Sequence, residues 1–371
     1  MPEQAGRPAL LIILPQTYSG ALFTLVIALV CLSAWANTYK LANRRPQPIG
    51  KQKLRYELYY FDWIAGALLS VTVLALTAGS MGFDGFSFGD DLMIAPRREW
   101  LYAFVAGVLF GFGNVLLVAS LSLAGMMVAF PIGAGVSAVI AAVISFARYH
   151  DRPLSFLILG CVLVLAAVAA AGLAYRGLLR LRDEEAAQPG AAKSTWRPSP
   201  AKALVLAAAA GLLMGSIFPL ADRAQAAETG LGPYSFSFLF TFGAAGSALL
   251  LNLFLMNLPV EGEPLEIPDY FRGGVRNHLY GFAGGGIWAM GLVAALVPVA
   301  VALPTQARTG AALVYGLTQA AAPLAALWGI VIWKELRGAD GRVAVLTVLM
   351  IILLSAGIAV LAIAPLYTAP R

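Results

Sequence analysis

Charged side chains make up only 12% of this 371-residue chain, about half the share of roughly 25% found in soluble globular domains. That shortage excludes a water-facing surface over most of the molecule. Histidine is nearly missing. His150 and His278 sit at the ends of apolar runs, and neither has a metal-ligand partner at helical spacing. Cysteine is as scarce: Cys31 and Cys161 fall inside apolar runs, support no disulfide framework and read as small packing residues. No apolar run has a charge near its middle, which argues against a highly charged ligand held there by salt bridges. The short apolar run 10–14 is preceded by Arg7 alone, ends at Pro15 and has no small-residue cleavage site. It reads as an extension of the first helix or as an interfacial segment, not as a secretory leader.

What is abundant is grease. Hydrophobic residues reach 60% and gather in ten runs, at 18–40, 57–80, 99–123, 125–147, 154–179, 203–226, 233–257, 277–301, 309–333 and 343–364. Each is long enough to cross a hydrocarbon core, which takes about 20 residues of helix. They fall into two sets of five, so the two sets enter the membrane from opposite sides. The expected fold is an all-α membrane protein of ten transmembrane helices, arranged as two inverted five-helix repeats. Residues 1–180 form the first repeat, 181–200 a polar, proline-containing cytoplasmic linker and 201–371 the second repeat. Inverted repeats place a site between them that opens to either face, an architecture of secondary transporters.

Lys and Arg number 17 on the side holding loops 1–2, 5–6, 7–8 and 9–10 and the central linker, against 8 on the other. The positive-inside rule puts both termini outside and the protein in the cytoplasmic membrane. The net charge of +6 therefore belongs to loops, and no nucleic acid partner is expected. The outer loop 81–98 reads either as a lid over the pathway or as a packed surface loop.

Three internal matches support the repeat. Ser33-Ala34-Trp35 pairs with Ser216-Ile217-Phe218, Gly107 and Gly111 with Gly281 and Gly285, and His150-Asp151-Arg152 with Lys334-Glu335-Leu336. A stripe at i, i+4 and i+7 occupies one helix face: Gly107, Gly111 and Asn114; Gly211, Gly215 and Phe218, continued by Asp222; Gly281, Gly285 and Trp288; and, more loosely, Ala28, Leu32 and Trp35. Small-residue packing between membrane helices accounts for any one of these. Their repetition suggests that these faces line a central cavity. Tyr315, Gln319 and Pro323 form a further stripe, in which Gln319 needs either a neighbouring helix or a bound solute. Pro131, Pro219 and Pro323 each free a backbone carbonyl, for a kink or for a cavity. Asp62 and Asp222 lie near span ends, either as proton-coupling groups or as paired interfacial carboxylates, Asp222 with its neighbour Arg223.

The Gly111-Phe112-Gly113-Asn114 turn, the stretch Gln319 to Glu335 with Trp328-Gly329, and Trp35 resemble motifs of the plant ureide permeases. Those proteins are similar to glucose/rhamnose-type sugar porters within the drug/metabolite transporter superfamily. The resemblance runs over essentially the whole chain. The chain departs from it at Ala34, where threonine is favoured, at Ala36, where proline is favoured, and in its shorter linker. The resemblance implies a ten-helix secondary transporter for small polar organic molecules, often with protons, with a cavity lined by helices 1, 3, 4, 6, 8 and 9.

These readings converge on a permease moving a small neutral polar solute, a sugar or a ureide or nucleobase, by alternating access. Trp35 and Phe218 act as aromatic gates, Asn114, Gln319 and Tyr315 supply hydrogen bonds, and Trp288 stacks on a ring. Asp62 and Asp222 are the coupling candidates. No cofactor or metal is expected. The partners are the solute and the lipid bilayer, with oligomeric state open and a monomer sufficient. Two alternatives stand beside it: a multidrug or metabolite exporter of the same superfamily, and a non-transporting membrane receptor, which would need no cavity between the halves. An enzyme is not expected. Ser137 has no histidine at its depth, and neither a His-Glu-x-x-His pair nor an aspartate-rich diphosphate motif is present.

Overall fold

Lipid offers backbone amides no hydrogen-bond partner, so a spanning segment must satisfy its own, as helix does. The computed structural model describes residues 18–44, 54–81, 87–148, 153–187, 199–225, 229–302, 316 and 318–364, and within these it contains helices and no strand. The first half holds α1 (Tyr18–Ala34), α2 (Asn37–Ala42), α3 (Tyr56–Leu76), α4 (Phe88–Ile94), α5 (Arg97–Ala124), α6 (Met126–Arg148) and α7 (Leu154–Ala186). The second holds α8 (Pro200–Gly215), α9 (Phe218–Gln225), α10 (Pro233–Asn257), α11 (Ile267–Phe271), α12 (Val275–Ala302), α13 (Ala321–Val331) and α14 (Gly341–Ile363). Among the described residues nine helical stretches are long and apolar enough to cross a membrane, with α13 a shorter apolar helix. The protein is a multi-pass membrane protein. Exposed stripes such as Ile158, Leu159, Val162 and Leu165 on α7 and Val345, Val348, Leu349 and Ile352 on α14 face the lipid.

Three expectations change. The first span is not one helix but breaks at Trp35-Ala36, and the sixth breaks at Ser216-Ile217. In the first, the Asn37 side chain donates to the freed Ala34 carbonyl at 2.9 Å, while the Trp35 carbonyl accepts from both the amide and the hydroxyl of Thr38, at 3.1 and 2.6 Å. In the sixth, Pro219 has no N–H to return to Gly215. The linker expected from 181 begins later, because α7 continues to Ala186, with Arg180 and Glu184 paired at 2.9 Å one turn apart. The loop 81–98 contains α4, capped by Ser87 and Asp90. It docks on the start of α10, where Asp91 accepts from the Gly232 amide at 2.9 Å and Phe88 meets Phe238 edge-on. Among the described residues of this loop, α4 is a packed surface element, the second of the two readings. Of the ninth span, Tyr315 and the residues before it lie outside the described residues, as do His150 and most of the linker.

The helices interleave across the sequence halves. The principal pairings are α7 with α14, α5 with α10, α3 with α12, α5 and α6 with α8, and α1 with α12. Glycine sets the closest crossings. A β-carbon at Gly107 would overlap the carbonyl oxygen of Phe240, and one at Gly243 would overlap that of Phe104. The same reciprocal contact joins α12 to α3, where Gly285 meets the Trp63 carbonyl and Gly66 the Phe282 carbonyl. In both, each glycine sits three residues from the carbonyl its partner approaches. The stripe glycines therefore do not line a cavity: Gly107 and Gly111 face α10, Gly211 and Gly215 face α6, and Gly281 and Gly285 face α3. The physical reason is the ordinary one for membrane helices, which gain most from packing backbone against backbone.

We expect Gly285→Ala to destabilise the protein by about 2–3 kcal/mol, the upper range for overpacking a tight core. Gly246→Ala, where nothing lies within 4 Å of an added β-carbon, should hold stability or raise it by up to about 1 kcal/mol through helix propensity. Thermal denaturation in detergent, followed by tryptophan fluorescence, reads both.

Candidate functional site

The breaks in the first and sixth spans matter because both fall beside a cavity. Its volume is about 230 Å³, and α1, α5, α6, α8, α9, α10, α12 and the start of α13 all contribute to its wall. Toward the face where the linker joins α7 to α8, here the linker face, it is bounded by Trp35, Phe130 and Leu117. Phe110, Asn114 and Trp288 lie at its middle, and Ala221, Asp222 and Gln225 reach toward the opposite face. Of the residues marked out by sequence, Trp35, Asn114, Phe218, Trp288, Gln319 and Asp222 all line it.

Aromatic rings form a continuous wall. Trp288 stacks on Phe110 with centroids 4.8 Å apart and an interplanar angle of 22°. Behind it Trp63 contacts Trp288 at 5.0 Å, Trp35 at 5.6 Å and Tyr60 at 5.0 Å. Trp35 then meets Phe130 edge-on at 6.0 Å, and Phe110 continues through Phe240 to Phe236. Such contacts fix ring orientation beyond simple area burial. Polar groups are few. Asn114, buried to 1%, donates through Nδ2 to the Tyr60 hydroxyl at 2.7 Å. Ser137, Thr318, Gln225 and Gln319 are the other uncharged polar residues of the lining. Phe218 and Gln319 also border a second space, of about 60 Å³, between α6, the start of α7 and the end of α14.

The two coupling candidates part company. Asp222 faces the cavity and pairs not with its neighbour Arg223 but with Arg148 on α6, at 3.7 Å. Arg223 instead lies over the Tyr102 ring, 5.7 Å from its centroid. The i to i+1 geometry explains this, since adjacent helical side chains diverge. Asp62 does not touch the cavity. It is buried near the linker face, where His278 Nδ1 lies 2.8 Å from Oδ2 and the Tyr270 hydroxyl donates to Oδ1. Burial raises the Tyr270 phenol above its usual range, and the carboxylate accepting its proton pushes the same way. His278 thus has a carboxylate partner from another helix, which spacing along its own helix could not reveal.

Sequence reasoning missed Phe110, Phe130, Phe236 and Phe240 in the wall and Trp63 behind it. A signal existed for one of them. Phe110 and Trp288 each stand three residues beyond a glycine of a close crossing, Gly107 and Gly285. The other rings give no cue in a chain with 11% aromatic residues.

No family model matches the chain. A stretch of 165 residues, 42% of this chain, is 25% identical to ureide permease 4 of Arabidopsis thaliana and spans 39% of that protein's length. A solved crystal structure aligns over 93% of this chain and 99% of its own, at 15% sequence identity and a TM-score of 0.45, a likeness too distant to argue from.

Asn114→Ala should cost about 1–2 kcal/mol of stability, because it leaves the buried Tyr60 hydroxyl without its partner. Gln319→Ala, on the cavity surface, should change stability by less than about 0.5 kcal/mol. Parallel melting curves separate the two.

Proposed function

We propose that this chain is a carrier that moves a small, neutral, polar organic solute across the cytoplasmic membrane by alternating access. The observation that carries the reading is the aromatic cavity of about 230 Å³, lined by helices from both halves of the chain. An assembly factor that binds no small molecule has no need of such a space. The 25% identity to a plant ureide permease over part of the chain points the same way, toward transport and away from an enzyme.

The wall favours a flat heterocycle, a ureide or nucleobase, over a sugar. Stacked faces such as Trp288 and Phe110 suit a planar ring, and a few amides suit its edge. A sugar would bring a full ring of hydroxyls into a wall with few partners, each unmatched one costing desolvation. The predominance of apolar rings also favours a second reading, export of aromatic compounds.

The proposed mechanism rests on two inverted five-helix halves. Support comes from recurrence. Interruptions fall at 35–36 and at 216–217. The reciprocal glycine contact of α5 with α10 reappears between α12 and α3, and it pairs Phe110 with Trp288, one stacked on the other. That register differs by one turn from the pairing of Gly107 with Gly281. Because the glycine contacts tie helices of opposite halves together, the moving bodies are interleaved: α1 to α3 with α12, against α5, α6 and α8 to α10. The hydrogen bonds of Trp328 to Ser33 and Trp333 to Asn37 support grouping α13 with the first body. The excess of Lys and Arg on the linker face supports a cytoplasmic linker and external termini. For proton coupling, Asp222 is the better candidate, since it borders the cavity and Asp62 does not.

Uptake into proteoliposomes, with a panel of nucleobases, ureides, hexoses and fluorescent aromatic cations, tests the reading. We expect saturable accumulation of at least one ureide or nucleobase, reduced about two- to tenfold by Trp288→Ala, the scale of one lost stacking contact. Asp222→Asn should abolish accumulation driven by a pH gradient while sparing exchange at equilibrium. No movement of any compound, with or without a gradient, would overturn the carrier.

A further inference from the structure

At the linker face a single carboxylate joins three helices. Glu335 follows α13. Its Oε1 accepts from the Met126 amide at 3.0 Å and its Oε2 from the Met127 amide at 2.8 Å, the first two residues of α6. Lys40 on α2 pairs with Oε1 at 2.8 Å, and Arg182 at the end of α7 donates to the Glu335 carbonyl at 3.3 Å. The opening amides of a helix have no partner within it and attract a negative group.

The surrounding backbone is shaped to admit this side chain. A β-carbon at Gly125 or at Gly329 would lie 2.7 or 2.6 Å from carboxylate atoms of Glu335. Gly125 also takes φ +85°, which lets α5 reverse into α6 in one residue. Lys334 adopts φ 52°, a left-handed conformation unusual for a residue with a β-carbon, and this turns Glu335 back beneath α13. Two further bonds run along the same seam between α13 and the first span. Trp328 Nε1 donates to Ser33 Oγ at 3.2 Å and Trp333 Nε1 to Asn37 Oδ1 at 2.6 Å. They hold α13 to α1 and α2, leaving Glu335 and Lys40 as one unit facing α6. Met126 and Met127 lie one turn from Phe130, which with Trp35 bounds the cavity on this side.

We infer that Glu335 is a latch: docked on the start of α6 it holds the cavity shut on the linker face, and it leaves those amides when that face opens. The inference rests on the carrier reading for its purpose, but the contact joins the two proposed moving bodies whatever the solute. Its release breaks no helix, and water at the interface can take over the Met126 and Met127 amides. Lys40 travels with Glu335 and keeps the carboxylate aimed.

The test reads conformation without any solute, so failure to find a transported compound leaves it intact. Cys31→Ser and Cys161→Ser remove the native thiols, and Ala134→Cys, on the cavity wall, supplies a reporter. A membrane-impermeant maleimide is then applied from each face of oriented vesicles. Glu335→Gln should raise the labelling rate from the linker face at least about tenfold, the consequence of shifting a closed-to-open equilibrium by one such bond set. Gly329→Ala, whose β-carbon would meet both the carboxylate at 2.6 Å and the Met127 amide nitrogen at 3.0 Å, keeps the charge of Glu335 and should act in the same direction. Glu335→Asp should change the rate less than about threefold. Melting curves confirm that each variant is folded, and Gly329→Ala keeps the test alive if Glu335→Gln is not. Unchanged labelling from the linker face in the folded variants would overturn the latch, as would an equal rise from both faces.

Discussion

Backbone meeting backbone at glycine is the constraint on which the rest of this molecule depends. Lipid tails are as apolar as leucine, so apolar side chains alone give these helices little reason to associate. Removing the β-carbon at Gly107, Gly243, Gly285 and Gly66 brings α5 onto α10 and α12 onto α3 until carbonyls fill the space. Each crossing then carries a large ring three residues farther on, Phe110 in one and Trp288 in the other. The aromatic wall is thus set by where the backbones touch.

Close crossings at the wall leave the two ends of the cavity to be held by polar groups. At the linker face the seam is dense, with Trp328 on Ser33, Trp333 on Asn37, and Glu335 on Lys40 and two amides. Toward the opposite face the pairing of Arg148 with Asp222 spans 3.7 Å, and the cavity lining itself reaches the carboxylate. An ion pair that borders a cavity is better placed to sense its contents than one packed between helices. Asp222 and Asp62, alike in sequence position near span ends, thus separate in surroundings, one bordering the cavity and one packed against His278 and Tyr270.

Much of the site could be read from residue type. Trp35, Asn114, Phe218, Trp288 and Gln319 stand out because a polar amide or a large ring beside small residues is unusual in a span, and all five border the cavity. The glycines beside them misled. A stripe at i and i+4 is the same pattern whether it faces a hollow or another helix, and here it faces another helix. Glu335 looked like a mere helix terminus, since its partners Lys40, Met126 and Met127 lie some two to three hundred residues away in the chain. His278 and Asp62 are invisible as a pair for the same reason.

Composition and run length by themselves determined that this is a multi-pass helical membrane protein, because the need to satisfy amides in lipid depends only on how many apolar residues stand in a row. They also determined which positions are costly to place in a span. Tertiary structure alone decided what each costly residue meets. It broke the first and sixth spans at the cavity, sent α7 on to Ala186, set Asp62 against His278 and Tyr270, and brought Glu335 to the start of α6. Those outcomes depend on which helix faces which, and periodicity along one strand of sequence carries no record of its neighbours.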